Sequence, residues 1–336
     1  MILVTGATGY IGEQLVRHLV ARGEEVKVLV RTPAKVSAVF GPALERQLTV
    51  VRGDLGDRQS LLEAVQGVRS VYHCASWISY KAPWEQVHRV NVQGARSLME
   101  ACLQAGVRRV VHMSSIAAGG PAVAVVEGLR ARTEADPPAP LNDPYGRSKL
   151  EQEQTVLGYG ARGMEVVVVR PSAVYGPGDP TGINILLKLV ARGFLPFYLG
   201  ARETRVNVVP VKDVVLGTVA AMERGRPGQV YNLVGPDMTH AQLFDILAAI
   251  SRGRRPRFAM PVPVLLGAAR LVAGIAGLFG TPPLHPNDVR SWTANWAASS
   301  EKSRQELGLV PSDPTEAWME TYQWLMAGNS SAKDEK

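Results

Sequence analysis

One octapeptide near the N-terminus, Thr5–Gly12 (TGATGYIG), constrains the fold more than any other feature. It follows a short apolar β-type run, Ile2–Val4, and leads into Ile11–Ala21, where apolar residues recur at helical spacing. Glycines at 6, 9 and 12 let a chain turn tightly from strand into helix. They also let backbone amides approach a pyrophosphate, whose charge a helix N-terminus stabilises. A glycine-rich loop alone could be a plain structural turn. Its position between strand and helix favours a dinucleotide loop.

The following residues repeat the strand–helix alternation. Val26–Val30 and Leu48–Val51 read as strands, Leu61–Val65 as helix, and Ser70–His73 as strand. Trp84–Ala105 reads as a long amphipathic helix and Arg109–Met113 as a strand. Tyr145–Val156 is a helix entered through Asp143-Pro144, and Val166–Val169 is a wholly apolar strand. Such apolar runs suit parallel strands covered on both faces. The expected class is therefore α/β, a Rossmann-type doubly wound parallel sheet with right-handed crossovers and a smaller C-terminal substrate lobe. At 336 residues the chain suits one domain plus a lobe built on it. The division expected is 1–171 for the dinucleotide-binding domain and 172–327 for the lobe, which is free to add strands to the main sheet, with a disordered polar tail at 328–336.

Composition narrows the partners. The net charge is +7, from 37 basic and 30 acidic residues, but the basic residues are scattered. The one dense cluster, Arg252, Arg254, Arg255 and Arg257, has no interleaved aromatics, so no nucleic-acid partner is expected. Cys74 and Cys102 are too few for a disulfide framework and read as core. No basic leader or cleavage site precedes MILVTG, so cytoplasmic residence is expected. Residues 262–280 (VPVLLGAARLVAGIAGLFG) read first as a packed helix of the lobe and second as a segment in weak contact with a membrane surface. No metal site is expected.

The end of the second strand discriminates between the two nicotinamide cofactors. An acid there would bind ribose hydroxyls, whereas a base would accept a 2′-phosphate. Here Val30 runs into Arg31-Thr32, with Lys35 following and no acid before Glu45. NADP(H) is therefore favoured, with NAD(H) as the alternative. Asp54, after the third strand, is placed to accept from an adenine amine or, equally, to cap the next helix.

Tyr145 and Lys149 stand four residues apart, on one face of a helix. A free tyrosine has a pKa of about 10, and a neighbouring cation is expected to lower it toward acid–base use. Met113-Ser114-Ser115 ends the strand Arg109–Met113, at the sheet edge where α/β folds bind ligands. A serine there can hold a substrate oxygen beside Tyr145.

Together these motifs resemble the extended short-chain dehydrogenases/reductases. The resemblance rests on TGATGYIG, the Asp54 turn, Val90-Asn91-Val92-Gln93-Gly94, Met113-Ser114-Ser115, Tyr145…Lys149 and the run from Arg170-Pro171 to Pro177-Gly178. It implies Ser115 as the catalytic hydroxyl, Tyr145 as general acid–base and Lys149 as its activator. It further implies cofactor contacts at Gly6, Thr8, Gly9, Tyr10, Ile11, Gly12, Arg31, Asp54 and Leu55, at Cys74 and Ala75, at Tyr145 and Lys149, and at Pro171 and Val174. His73-Cys74-Ala75-Ser76 departs from the family's more usual Asn-Ala-Ala, and Asn91 would support the active site. Within the group the chain is similar to dihydroflavonol reductase-like, 3β-hydroxysteroid dehydrogenase-like and hopanoid-associated epimerase-like proteins. Sugar-nucleotide epimerases tend to carry an arginine seven residues before the acid matching Asp213, where this chain has Val206, with Arg205 next door.

The leading expectation is hydride transfer between NADP(H) and a carbonyl or secondary alcohol on a fairly apolar small molecule. A sugar epimerase or dehydratase that retains its cofactor is the second reading, and a non-catalytic dinucleotide sensor is the third. The resemblance also implies a homodimer through the helices at 84–105 and 145–156.

Overall fold

The computed structural model describes residues 1–126, 128–179, 182–276 and 284–328. Seven strands form one sheet: β1 (Ile2–Thr5), β2 (Val26–Val30), β3 (Leu48–Arg52), β4 (Ser70–His73), β5 (Arg109–Met113), β6 (Glu165–Pro171) and β7 (Val230–Leu233). Their order is β3-β2-β1-β4-β5-β6-β7, and every pairing is parallel. The doubly wound α/β expectation is met.

Alternation along the strands explains the apolar runs. Val4 points into the first core layer and Leu3 into the second, and both are fully buried. Val166 and Val168 likewise face one layer while Val167 and Val169 face its opposite. Leu15, Val16 and Leu19 of helix α1 (Tyr10–Ala21) cover the first face. Leu61 of α2 (Arg58–Val65) with Leu98 and Met99 of α3 (Gly94–Gln104) cover the second. With both faces covered, apolar side chains dominate these strands, and each such valine or leucine contributes about 1.5–3 kcal/mol on burial.

The chain returns to the main sheet after residue 171. β7 adds a seventh strand, with Val230 paired to Val168, and helix α5 (Val211–Arg224) packs on α1. The lobe keeps a core of its own, in which Tyr175 stacks on the fully buried Trp318 with ring centroids 3.8 Å apart. The expected tail lies outside the described residues from 329 onward, as do residues 277–280 of the apolar segment.

Three local readings need correction. Asp57, rather than Asp54, caps α2 by accepting from the Gln59 amide at 3.1 Å, because the helix begins three residues earlier than its apolar pattern indicates. The helix expected at 84–105 is interrupted by a π-helical turn, Arg89–Gln93, and such turns often mark functional positions. Cys102 is buried as core, but Cys74 is only half-buried at the sheet edge.

Candidate active site

Helix α4 (Pro144–Leu157) begins cleanly because Asp143 accepts from the Gly146 amide at 2.8 Å and Pro144 needs no donor partner. This start sets Tyr145 and Lys149 one turn apart, with both side chains facing the end of β5. Ser115, immediately beyond β5, caps a short helix (Ile116–Gly119), and its hydroxyl accepts from Ala117 N at 3.2 Å. The same hydroxyl hydrogen-bonds the Tyr145 phenol. The structure therefore brings Ser115, Tyr145 and Lys149 together. Ser114 is occupied elsewhere, its hydroxyl donating to Glu153 Oε2 at 2.8 Å.

The electrostatics differ from the sequence expectation. Burial pushes Tyr145 above the ordinary phenol range, reinforced by Tyr80 and opposed by the Ser115 hydrogen bond. No lowering by Lys149 operates, because Nζ is directed at Met113 O (2.8 Å) and Gln152 Oε1 (2.6 Å). Burial holds Lys149 itself down to about 7, with Glu153 and Cys74 acting in the opposite direction. Tyr145 thus rests as a neutral hydroxyl able to donate a proton. Tyr80 meets it edge-on at 5.4 Å between ring centroids. Its carbonyl accepts from Asn287 at 2.8 Å and its phenol bonds Ser291, so helix α7 (Pro286–Thr293) rests on the site.

The dinucleotide loop lies at the same sheet edge. Gly6 has φ +69°, and a Cβ there would stand 2.6 Å from Ala75 N. At Gly12 a Cβ would strike Gly6 O at 2.1 Å. Both glycines are required by close approach, and the α1 N-terminus opens at Gly9 without a side-chain cap. That uncapped end, with the cradle that a Cβ would fill, fits a pyrophosphate. Thr8, Tyr10 and Ile11 are half-buried around it. The Tyr10 hydroxyl is buried without a hydrogen-bond partner among the described residues.

Arg31 is exposed at the end of β2 and forms no ion pair among the described residues. Asp54 is exposed and accepts from Gly56 N at 2.8 Å, while Leu55 is buried against Gly94. The Cys74 amide donates to Thr5 O at 3.2 Å and the Ala75 amide to Thr5 Oγ1 at 3.3 Å. Burial pushes the Cys74 thiol up to about 12. Pro171 is buried at the end of β6, and Val174 is half-buried in a strand paired to Val209. Arg205, beside Val206, pairs with Asp237 at 3.2 Å.

The family model of the "NAD dependent epimerase/dehydratase family" matches residues 2–234. The chain belongs to this family. It is 36% identical over 334 residues to sterol demethylase protein B of Methylococcus capsulatus, covering 96% of this chain and 97% of the relative. It is 28% identical to a 3-beta-hydroxysteroid dehydrogenase of Mycolicibacterium neoaurum, covering 95% and 89% respectively. Among solved structures it superposes on gox2253 with a TM-score of 0.81 and 30% identity over 98% of each chain. As a member of the NAD-dependent epimerase/dehydratase family the protein is an enzyme of the dehydrogenase or epimerase/dehydratase kind, acting on a small molecule with a nicotinamide dinucleotide.

This family member carries polar machinery that sequence reasoning missed. Arg170 Nε donates to Glu153 Oε2 at 2.9 Å, and a second guanidinium nitrogen reaches Oε1, with both side chains buried. A charged residue closing the apolar β6 was the available signal, since a buried guanidinium requires a partner. Asn91, which the resemblance did name as a support of the site, lies in the π turn, accepts from Trp77 N at 2.7 Å and donates to Ser148 Oγ at 2.9 Å. Of the lobe and loop aromatics, Tyr198 and Trp296 pack and Tyr80 touches Tyr145.

Proposed function

We propose that the protein is an NADP(H)-dependent oxidoreductase that interconverts a carbonyl and a secondary alcohol on a fairly apolar substrate. The observation that carries this reading is the Ser115–Tyr145 hydroxyl pair, one helical turn from Lys149 and beside the glycine cradle. When bound, the dinucleotide supplies or accepts the hydride. Tyr145, held neutral by burial, donates its phenolic proton to the substrate oxygen in the reducing direction. Ser115 hydrogen-bonds the same oxygen and steadies its developing charge. Lys149, one helical turn from Tyr145 and held by Met113 O and Gln152 Oε1, would donate to the ribose hydroxyls. Gly6, Gly9 and Gly12 hold the pyrophosphate, and Arg31 reads the 2′-phosphate.

Two observations favour an apolar substrate over a sugar nucleotide. Val206 replaces a phosphate-holding arginine, and neighbouring Arg205 is engaged by Asp237. The relatives named for sterol or steroid chemistry point the same way. The test is a panel of hydrophobic cyclic ketones and alcohols, run against nucleotide sugars with NADPH and NADH, following reduced-nicotinamide absorbance. The proposal expects NADPH consumption with the ketones. It also expects Tyr145→Phe to lower turnover by about 10²–10⁴-fold with cofactor affinity intact. Conversion of a nucleotide sugar without net absorbance change, or full turnover by Tyr145→Phe, would overturn it.

A further inference from the structure

Helix α6 (Val262–Ala276) has an outward face of the wrong polarity for water. Of its fifteen residues only Ala269 is buried. Of its exposed positions, Val264, Gly267, Ala268, Leu271, Gly274 and Ile275 recur at helical spacing and form an apolar stripe, with Arg270 the one exposed charged residue of the helix. Val264, Leu271 and Ile275 are 55%, 66% and 57% exposed. A helix at the surface of a domain ordinarily turns a polar face outward. An outward apolar stripe on a surface helix is the feature by which docking surfaces are recognised. Phe258, in the strand leading into α6, is also 52% exposed.

Charge selects the occupant. Residues 251–276 contain no aspartate or glutamate, but they contain Arg252, Arg254, Arg255, Arg257 and Arg270. Arg255 pairs with Asp245 of the neighbouring helix at 2.8 Å. Arg252, Arg254, Arg257 and Arg270 are exposed. A second copy docked here would bring like charge to like charge. An anionic bilayer brings phosphates to the arginines and acyl chains to the stripe. At fifteen residues α6 is about 22 Å long, short of the about 30 Å hydrocarbon layer, and among the described residues no helix is long and apolar enough to cross a membrane. The helix can lie in the interface but not span it.

We propose that α6 docks the protein on an anionic phospholipid membrane, with Val264, Leu271 and Ile275 among the acyl chains and Arg254 and Arg257 at the lipid phosphates. α6 packs on α7, which holds Tyr80 against Tyr145, so the docked face lies one helix from the active site. Docking does not depend on which substrate turns over.

Cosedimentation of the full chain with phosphatidylglycerol vesicles and with phosphatidylcholine vesicles tests this. Binding is expected to phosphatidylglycerol at low salt and to weaken as salt rises. Leu271→Asp/Ile275→Asp is expected to lower it at least about tenfold, and Arg254→Gln/Arg257→Gln several-fold on phosphatidylglycerol alone. Unchanged NADPH binding and circular dichroism verify that each variant is folded, and Val264→Ser/Leu271→Ser serves if the aspartates unfold the lobe. Absence of binding to phosphatidylglycerol, or undiminished binding by the folded stripe variants, overturns the proposal. So does a concentration-dependent dimer that the stripe substitutions dissolve, since that assigns the face to a second copy.

Discussion

Lys149 Nζ donates to Gln152 Oε1 at 2.6 Å, in a place where neither side chain meets solvent. Because the carboxamide oxygen is taken, the amide nitrogen faces His73 Nε2 at 3.5 Å. That nitrogen of the ring must accept, so His73 Nδ1 carries the proton and donates to Thr5 Oγ1 at 2.8 Å. A buried polar chain thus ties Lys149 to the end of β1, one residue before the glycine loop.

Removing the acceptor is expected to alter the pH dependence of turnover. Burial already brings Lys149 to about 7, and an ammonium without a hydrogen-bond acceptor loses its proton more readily still. Gln152→Leu should lower kcat about tenfold and move the alkaline limb to lower pH. Gln152→Glu places a carboxylate beside the ammonium and should move that limb upward. Profiles of kcat against pH for both variants check this; identical limbs would refute a positioning role for Gln152.

Arg31 should set cofactor choice. Its guanidinium is exposed and uncommitted to any carboxylate among the described residues, at the edge of β2 beside the glycine loop. Arg31→Ala is expected to raise the KM for NADPH at least about tenfold while changing that for NADH little. Equal effects on the two cofactors would show that Arg31 does not read the 2′-phosphate.

The Arg170–Glu153 pair should be worth far more broken than replaced. Both groups are buried, and Glu153 also accepts from Ser114. Glu153→Ala strands a buried guanidinium and should cost about 3–5 kcal/mol in urea unfolding. The double variant Glu153→Leu/Arg170→Met should recover most of that loss. If the double variant is no more stable than the single, the charge argument fails.

Acid should destabilise the fold through its buried histidines. Burial, with Lys149 adding to it, lowers His73 to about 3, and His112 is displaced in the same direction. Between an unfolded value of about 6.5 and the folded value, the unfolded chain binds more protons, so stability rises with pH there. The contribution is complete above about pH 6.5 and is lost as pH falls toward the folded value. Unfolding midpoints measured across that range should fall less steeply for His73→Asn than for the wild type.

The parallel sheet was legible because its inner strands are buried on both faces, which forces valine-rich runs whose period needs no partner to be read. The glycine loop was legible because contacts as close as that of Gly6 with Ala75 permit no side chain. Tyr145 and Lys149 were readable through helical spacing taken together with the serines that close the strand Arg109–Met113. What lay beyond reach were pairings between distant segments: Glu153 with Arg170, Gln152 with His73, Tyr80 with Tyr145. Spacing within a helix predicts which residues share a face but not what that face meets.

Sequence by itself determined the α/β class, the strand–loop–helix that opens it, and which hydroxyls and amine stand near the sheet edge, because backbone sterics and local periodicity act over a few residues. Only the tertiary structure decided that Ser114 turns to Glu153, and that Lys149 directs its protons to Met113 and Gln152. It also decided that α6 turns an apolar stripe outward. Burial, the low dielectric it creates and the partners it supplies are set by residues far apart in the chain, and these control proton affinities and exposed surface.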